Sequence, residues 1–553
     1  MIFDTMTIHN NSAEAGITIE QLLAFIEQHP SLSLIKSCSY ASDDSQKIDE
    51  SVLATTLKNV SLDSRKINKN DLFIAIQGEN SHGLDFLKSI LEKSPGLVVC
   101  DRLLTGSEQQ LLKLSGCTVT VLSVHSITEY LGELAAWFYK QPSQRIKVVG
   151  ITGTNGKTST AFYCAQLLDQ IGEKVALMGT LGNGPLHDLQ ATANTTPDSV
   201  QVQRLLSEFA QQGIGWCVME VSSHALCLGR VQAVEFATVA LTQVTRDHMD
   251  FHKTIEGYQE AKTRLFLDYK SHSQVLNMAD SVGRKLFALS ESRLDNNLDN
   301  VWTYQPFITA DIAADDKHTK FNLSCQYSLL TSQGIETELH IVQSNETKVE
   351  KIAVPLMGLF SLENLSCALS ILLVNKISWQ KIQPGLVALK PVLGRMQRLS
   401  TSPTILLDFA HTPDALEQVL KSVKSHLQGQ QAKLWLVFGC GGNRDKGKRP
   451  LMGKVAEHYA DYLMVTSDNP RDEQPLDIIN EILQGLQQSD KALVEQDRTL
   501  AIQAVLQSAS ADDIVLIAGK GHENYQEILG VKHPYSDSDV VKKWLEQSLQ
   551  KGC

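Results

Sequence analysis

The sequence lacks the marks of several protein classes. No apolar run approaches the ~18 residues that a membrane-spanning helix needs, so no helical span is expected. Basic charge is in deficit: 50 Lys and Arg against 62 Asp and Glu leave a net −12. That is the wrong sign for a protein that coats nucleic acid. The ten cysteines, at 38, 100, 117, 164, 217, 227, 325, 367, 440 and 553, include no Cys-x-x-Cys pair. Several sit in apolar runs such as WCVMEV and KLWLVFGC. Buried, reduced thiols in a cytoplasmic protein are expected, not a disulfide or zinc framework. The first residues, MIFDTMTIHNN, have no basic head or apolar core, so no secretory signal is expected. Internal repeats and low-complexity tracts are missing too.

What remains is ample for packed cores. The chain is 42% hydrophobic over 553 residues, which excludes a disordered or fibrous chain. At about 150 residues per domain, the length suggests three or four domains. Pro142 and Ser143 break the helix-like stretch SITEYLGELAAWFYK. A second boundary falls in LGRMQRLSTSP, 393–403. Between them, the strand-like runs IKVVGIT, EKVALMGT, WCVMEVSS and FATVALTQV alternate with helical stretches. That rhythm indicates a parallel sheet with crossover helices. Residues 300–355 alternate differently and suggest an antiparallel appendage. The α/β rhythm resumes in TILLDFA, KLWLVFGC, YLMVTSD and DIVLIAGK. The expected fold class is α/β in three domains: 1–143, 144–396 and 397–553. The first is a smaller α/β domain, the second a P-loop parallel-sheet domain and the third Rossmann-like. Residues 1–45 are polar, with a short amphipathic stretch ITIEQLLAFIEQ and no assigned role.

VVGITGTNGKTST, 148–160, is the most specific local signal. A strand enters a Gly-rich turn, and Lys-Thr-Ser-Thr opens a helix. Glycines let backbone N–H groups reach phosphate oxygens, and the helix N-terminus adds positive potential. Lys157 would reach the outer phosphates and Thr158 would face Mg²⁺. The strict pattern wants Gly at 151, which is Ile here, so the loop is a variant. DSVG at 280–283 and NKND at 68–71 resemble GTPase motifs, but NKND precedes the loop instead of following it. Both read as chance matches.

Glu220 ends WCVME at a strand edge, where P-loop proteins hold Mg²⁺; an exposed strand-end carboxylate is the plainer alternative. TRDHMDFH crowds Asp247, His248, Asp250 and His252, either a metal site or a polar loop. Lys262, in YQEAKTRLF, reads locally as an ordinary surface lysine. In the third domain, LLDFAHTPDAL sets Asp408 and His411 at a strand-to-helix turn, with Thr412 or Asp414 as cap. GCGGNRDKGKRP, 439–450, carries Arg444, Lys446, Lys448 and Arg449 against Asp445. TSDNPRDE and AGKGHENYQ are two further strand-end loops, the usual ligand position of open α/β sheets.

These residues together resemble the Mur ligases of peptidoglycan synthesis, MurE type, from about residue 57 to the C-terminus. TGTNGKTS alone also fits folylpolyglutamate synthases. NTTPD, MEVSSH, RDHMDFH, YQEAK, DFAHTPDAL, CGGNRDKGKRPLM, DNPR and GKGHE in this order are far more specific. DNPR looks like the signature of enzymes that add meso-diaminopimelate rather than lysine. The resemblance implies an ATP-dependent ligase that adds meso-diaminopimelate to UDP-N-acetylmuramoyl-L-alanyl-D-glutamate through an acyl phosphate. It implies that Gly153, Thr154, Asn155, Gly156, Lys157, Thr158 and Ser159 hold ATP phosphates, with Asn364, Arg395, Asp408 and His411 nearby. Thr158 and Glu220 would serve one Mg²⁺, and Glu220, His248 and Lys262 a second. Lys262 would be carbamylated by CO₂, because an ammonium cannot ligate a cation. Lys157, Glu220, His248, Lys262 and Arg395 would be catalytic. Leu62, Ser64, Asn194, Thr195, Thr196, Ser222 and Arg230 would meet the UDP-muramoyl dipeptide. Arg444, Asp468, Asn469, Pro470, Arg471, Gly519 and Glu523 would form the diaminopimelate pocket. A cytoplasmic monomer using only small-molecule substrates is implied.

Five positions depart from the family pattern. Gln243 stands for Asn, Leu228 for a substrate-contacting Gln, Phe409 for Tyr, Ser361 for Asn, and His82 for Asp. None touches Lys157, Glu220, His248 or Lys262. The rivals are a lysine-adding or folylpolyglutamate-type ligase, and a P-loop switch protein with no ligase activity.

Overall fold

Short apolar runs become strands buried along their whole length. Leu72–Ala75, Leu97–Cys100 and Val175–Gly179 have no exposed residue. Continuous apolar strands belong in parallel sheets covered on both faces, and three such sheets organise the chain. The structure is a computed structural model that describes residues 16–38, 50–78, 80–116, 119–192, 194–245, 247–292, 300–307, 321–331, 333–343, 346–427, 431–488 and 492–551.

The first sheet holds β1 (Ser33–Cys38), β2 (Val60–Ser61), β3 (Leu72–Ala75), β4 (Leu97–Cys100) and β5 (Thr120–His125). Their order is β1-β5-β4-β3-β2, with only β1 antiparallel. The amphipathic stretch near the N-terminus is a helix, Ile19–Gln28, opened by Thr18 in a capping box with Gln21. It is not an appendage. Ile19, Leu22 and Ile26 are fully buried in the domain core, and Phe25 stacks on Trp137 at 4.6 Å. Each such aliphatic burial contributes about 1.5–3 kcal/mol. The rest of that expected extension, 1–15 and 39–45, lies outside the described residues, as do Cys117 and Cys553.

The central sheet has ten strands. They are β6 (Lys147–Thr152), β7 (Val175–Gly179), β8 (Gly182–Pro185), β9 (Trp216–Glu220), β10 (Phe236–Leu241), β11 (Ser271–Asn277), β12 (Val301–Gln305), β13 (Leu323–Thr331), β14 (Gly334–Gln343) and β15 (Glu346–Val354). The order is β8-β7-β9-β6-β10-β11-β12-β13-β14-β15. The run β7-β9-β6-β10-β11-β12 is parallel, β8 pairs antiparallel with β7 at the edge, and β13-β14-β15 form an antiparallel meander. The antiparallel piece expected over 300–355 therefore continues the main sheet, joined where β12 pairs with β13. Helices Lys157–Gln170 and Leu359–Val374 cover one face. Ser199–Gln211 and Ile255–Leu267 cover the other. Val200 reaches into the first domain's core and so ties the two domains.

The third sheet holds β16 (Gln397–Thr401), β17 (Thr404–Asp408), β18 (Leu434–Phe438), β19 (Tyr462–Val465), β20 (Ala492–Val494) and β21 (Ile514–Ala518). Its order is β16-β17-β21-β18-β19-β20, parallel except for β16. A separate hairpin, β22 (Tyr525–Ile528) and β23 (Val531–Pro534), follows β21. His426 joins this domain to the central one. Its Nε2 accepts from Gly358 N at 2.8 Å, so its Nδ1–H donates to Thr331 O at 2.7 Å.

The GTPase look-alikes have structural roles. Asp280 accepts from Val244 N and Val282 N, at 2.7 and 2.8 Å. Asp71 closes its own turn through Asn68 N at 2.8 Å.

Candidate active site

β6 ends at Thr152, and the chain turns through Gly153 and Gly156 into the helix Lys157–Gln170. Both glycines have positive φ, 147° and 87°. A Cβ at Gly153 would run into Thr242 Oγ1, and one at Gly156 into Asn364 Oδ1. The turn therefore needs glycine for conformation and for space. Lys157 folds back, its Nζ donating to Gly153 O and Thr154 O, both at 2.9 Å. Burial pushes the Lys157 pKa down, against the pull of Glu220.

Glu220, 2% exposed at the end of β9, sits beside the loop. It accepts from Thr158 Oγ1 at 2.8 Å and from Thr180 N at 2.7 Å. The expected pair of Thr158 and Glu220 is thus in direct contact. Thr180, one residue past β7, had escaped notice; a threonine closing an apolar strand was its only signal. Its hydroxyl lies 3.2 Å from Thr195 Oγ1. Thr196 donates to the Glu220 carbonyl at 2.8 Å and accepts from Ser222 N at 3.1 Å. Arg230 donates to Thr196 O at 3.0 Å. Asn194 is exposed beside this set. A single cavity is lined by residues 154–159, Thr180, Thr195, Glu220 and Arg395.

Lys262 is not on the surface. It is 1% exposed, and its Nζ donates to Gly153 O at 2.7 Å. Burial, then the neighbouring Lys157 charge, hold its pKa well below the ordinary lysine value. The Nζ stands 4.6 Å over the Tyr258 ring. Tyr258 also hydrogen-bonds Thr154 through its hydroxyl, at 3.0 Å. His248 takes a left-handed backbone, φ 53°, and is half-exposed. Its ring lies 6.2 Å from Tyr258 and 4.9 Å from His224, and Asp247 pairs with it at 3.5 Å. His252 Nε2 meets Ser223 Oγ at 2.9 Å, and its ring lies 5.1 Å from that of Tyr258. Arg246 and the Asp250 side chain lie outside the described residues. Among the described residues no three His, Cys, Asp or Glu side chains form a metal cage.

Asn364 is buried against the loop, and Thr160 Oγ1 donates to its carbonyl at 3.4 Å. Arg395 and Asp408 meet where the central and third domains join. Asp408 accepts from Met396 N and Ala410 N, both at 2.8 Å. Burial nevertheless raises its pKa. His411 is exposed, with Phe409 O 2.8 Å from its Nδ1. Thr412, not Asp414, caps the following helix.

The third domain gathers its loops into a second cluster. Arg471 and Arg444 flank Gly441, where an added Cβ would stand 2.9 Å from Arg471 Nη1 and 3.8 Å from Arg444 Cγ. Arg444 is exposed. Arg471 donates to Glu527 at 3.0 Å and to Gly442 O at 2.9 Å. Asn469 Nδ2 donates to Glu523 Oε2 at 2.9 Å. Gly519 has φ 114°, and a Cβ there would stand 2.7 Å from Asp468 Oδ2. Two basic residues of the 439–450 stretch, the buried Arg449 and the largely exposed Lys446, are paired with acids of the same domain. Arg449 is fully buried against Glu473 and Glu481, at 2.9 and 2.7 Å, and Lys446 joins Glu473 at 3.2 Å. Lys520 and Glu527 were not singled out from sequence and prove central to the cluster.

Leu62 and Ser64 sit in the first domain, away from both clusters. Leu62 packs on its core and Ser64 O accepts from Lys93 Nζ at 2.8 Å.

Three family models match in chain order: the Mur ligase family catalytic domain over 56–139, the Mur ligase middle domain over 151–372, and the Mur ligase glutamate ligase domain over 394–521. A ligase of Haemophilus ducreyi is 38% identical over 503 residues, 89% of this chain and 96% of its own. A counterpart from Chromobacterium violaceum is 39% identical over 504 residues, 89% of this chain and 95% of its own. Both are named UDP-N-acetylmuramoyl-L-alanyl-D-glutamate–2,6-diaminopimelate ligase. The chain belongs to the Mur ligase family. A solved structure with the same ligase name superposes with TM-score 0.66 at 31% identity, covering 93% of this chain and 99% of its own. A folylpolyglutamate synthase from Mycobacterium tuberculosis shares the fold at 16% identity and TM-score 0.51, over 70% of this chain.

Four departures from the Mur ligase pattern acquire physical content. His82 keeps the capping role of a carboxylate: its Nδ1 accepts from Leu84 N at 3.0 Å and its Nε2–H donates to Asp101 at 2.8 Å. Ser361 closes its own helical turn through Met357 O at 2.7 Å. Phe409 packs against His411 and His522. Gln243 acts through its backbone, accepting from Thr154 N at 2.6 Å. Leu228 is 57% exposed, and nothing in the structure explains that substitution.

Proposed function

We propose that this Mur ligase joins meso-2,6-diaminopimelate to UDP-N-acetylmuramoyl-L-alanyl-D-glutamate with ATP. The observation that carries the reading is the meeting of Arg471, from DNPR, with Arg444 at Gly441, beside Asn469, whose side chain holds Glu523. Two guanidinium groups suit carboxylates, and a carboxylate suits the distal ammonium of a diamino acid. The relatives' shared name agrees. A folylpolyglutamate-type activity is favoured less, because that likeness spans only 70% of the chain.

The chemistry balances in two steps. A γ-carboxylate oxygen of D-Glu attacks the γ-phosphorus of ATP, and ADP leaves. The amine then attacks the acyl carbon. A C–N bond forms, the C–O bond to phosphate breaks, and the amine loses a proton. Residues 153–159 hold the phosphates, Lys157 swings from its carbonyls to the outer ones, and Arg395 approaches from the domain junction. Asn364, Asp408 and His411 complete the nucleotide's surroundings. Preorganised positive groups are worth most where charge develops in a water-poor site.

Thr158 and Glu220 fit Mg²⁺, which takes one or two carboxylates and leaves its other positions to phosphate and water. Bound there, the ion would offset phosphate charge. Lys262 fits a carbamate, since a buried amine whose pKa is depressed, and which makes no ion pair with a carboxylate among the described residues, is able to attack CO₂ in its neutral form. Its Nζ–C bond would form with loss of a proton, and Glu220 and His248 would be the other residues to hold a second ion, which would add positive charge beside the phosphates.

The muramoyl dipeptide lies across Asn194, Thr195, Thr196, Ser222 and Arg230, with its uridine toward Leu62 and Ser64. Arg444, Asp468, Asn469, Pro470, Arg471, Gly519 and Glu523 receive the amino acid. The domains divide at 143/144 and 396/397, and the protein works as a cytoplasmic monomer without nucleic acid. The test is ATP consumption and product mass with diaminopimelate against lysine. Turnover with diaminopimelate is expected, and turnover with lysine alone would overturn the reading.

A further inference from the structure

We propose that Lys520 is a positioning residue for amino-acid selectivity, locking the 468–471 and 519–523 loops into one charged frame. The proposal rests on the assignment of this pocket to the incoming amino acid.

Lys520 follows Gly519 and is 0% exposed. Its Nζ lies 2.9 Å from Asn469 Oδ1, 2.9 Å from Tyr525 O, 3.4 Å from Glu523 Oε2 and 3.5 Å from Asp468 Oδ1. An ammonium has three protons and no acceptor, so all its donors are spent inside the protein. It cannot grip a substrate. What it does is fix the groups that can.

Asn469 Oδ1 accepts from Lys520 and also from Glu527 N at 2.9 Å. The amide is thereby oriented, and its Nδ2 must face Glu523 Oε2. Glu523 Oε2 is thus held twice, which leaves Oε1 for a ligand. The chain continues the other way. Glu527, placed by Asn469, holds Arg471 Nε at 3.0 Å. One buried cation therefore sets both the carboxylate for an ammonium and the guanidinium for a carboxylate. Charge supports the same role. Asp468 and Glu523 with Lys520 leave one net negative charge. Without the lysine, two nearby carboxylates would face each other with no cation between them.

The experiment compares wild type with Lys520→Met and the milder Lys520→Gln. The diaminopimelate KM should rise about 10- to 100-fold while the ATP KM stays within about twofold. Preference for diaminopimelate over lysine should fall about tenfold. An unchanged diaminopimelate KM and preference, or a parallel rise in both KM values, would overturn the proposal. Hydrogen exchange reads the lock without substrate. Segments 467–472 and 519–527 should exchange faster in either variant and the phosphate loop should not; unchanged exchange in both segments overturns the lock. Wild type that ignores diaminopimelate would sink the functional reading alone. The KM split is then read with the amino acid it does use.

Discussion

At the phosphate loop, Lys157 and Lys262 converge on one carbonyl, that of Gly153, and no described carboxylate makes an ion pair with either. In the third domain each buried cation has its acids. Lys520 sits among Asp468 and Glu523, Arg449 between Glu473 and Glu481, and Arg498 is held by Asp537 through two 2.8 Å bonds. The first site is left electrically incomplete, and a polyanion such as a nucleotide triphosphate completes it. In the second, every one of these cations is paired within the domain, and the pairs fix the shape of its loops. Removing a buried cation that has no partner relieves a desolvation cost, whereas removing one member of a buried pair strands the other and costs stability.

The largest effect expected is on activity. Lys262→Met should lower kcat by about 10³-fold or more yet leave the melting temperature unchanged or higher, since it replaces a buried amine, held well below its usual pKa by burial, with an apolar side chain of similar length. A melting temperature several degrees lower would erase the contrast. Arg498→Met should do the reverse, costing about 3–5 kcal/mol in urea unfolding by stranding Asp537. A loss under 1 kcal/mol would mean that the third domain is not held by its pairs. Next, Arg471→Ala should raise the diaminopimelate KM about 10- to 100-fold with little change for ATP. Equal effects on both would remove Arg471 from selectivity.

The smallest effect lies at the junction between the central and third domains. His426 is used unprotonated, with Nε2 as acceptor, and burial lowers its pKa. A histidine with a depressed folded pKa contributes fully above its unfolded value, about 6.5, and loses that contribution as pH falls below it. Thermal unfolding from pH 7.5 to 5.5 should therefore show a steeper decline in wild type than in His426→Gln. Parallel curves would show that the junction is indifferent to this proton.

Legibility followed the same divide. The phosphate loop is contiguous, so strand, glycines, lysine and helix can be read in one pass. Glu220 was legible too, as a charge ending an apolar run. Lys262 was not, because on its helix it has the spacing of a surface residue; only the packing of that helix over Gly153 buries it. Arg449 erred the other way. A basic residue in a Gly-rich loop suggests a ligand contact, but Glu473 and Glu481, 24 and 32 positions along, take it inward. The helix Ile19–Gln28 was visible as an amphipathic stretch, yet its place in the domain core depended on Trp137, over 100 residues away.

Local pattern determined what is local: the parallel strands, the glycine turn, the order of motifs and the family they match. Backbone conformation and periodic burial are set within a few residues, so composition and spacing carry them. Tertiary structure alone decided which charges are satisfied. That depends on distances between loops far apart in the chain, and those distances follow from how three sheets pack. It brought the buried amines of Lys157 and Lys262 to one carbonyl, and it made Lys520 an internal brace.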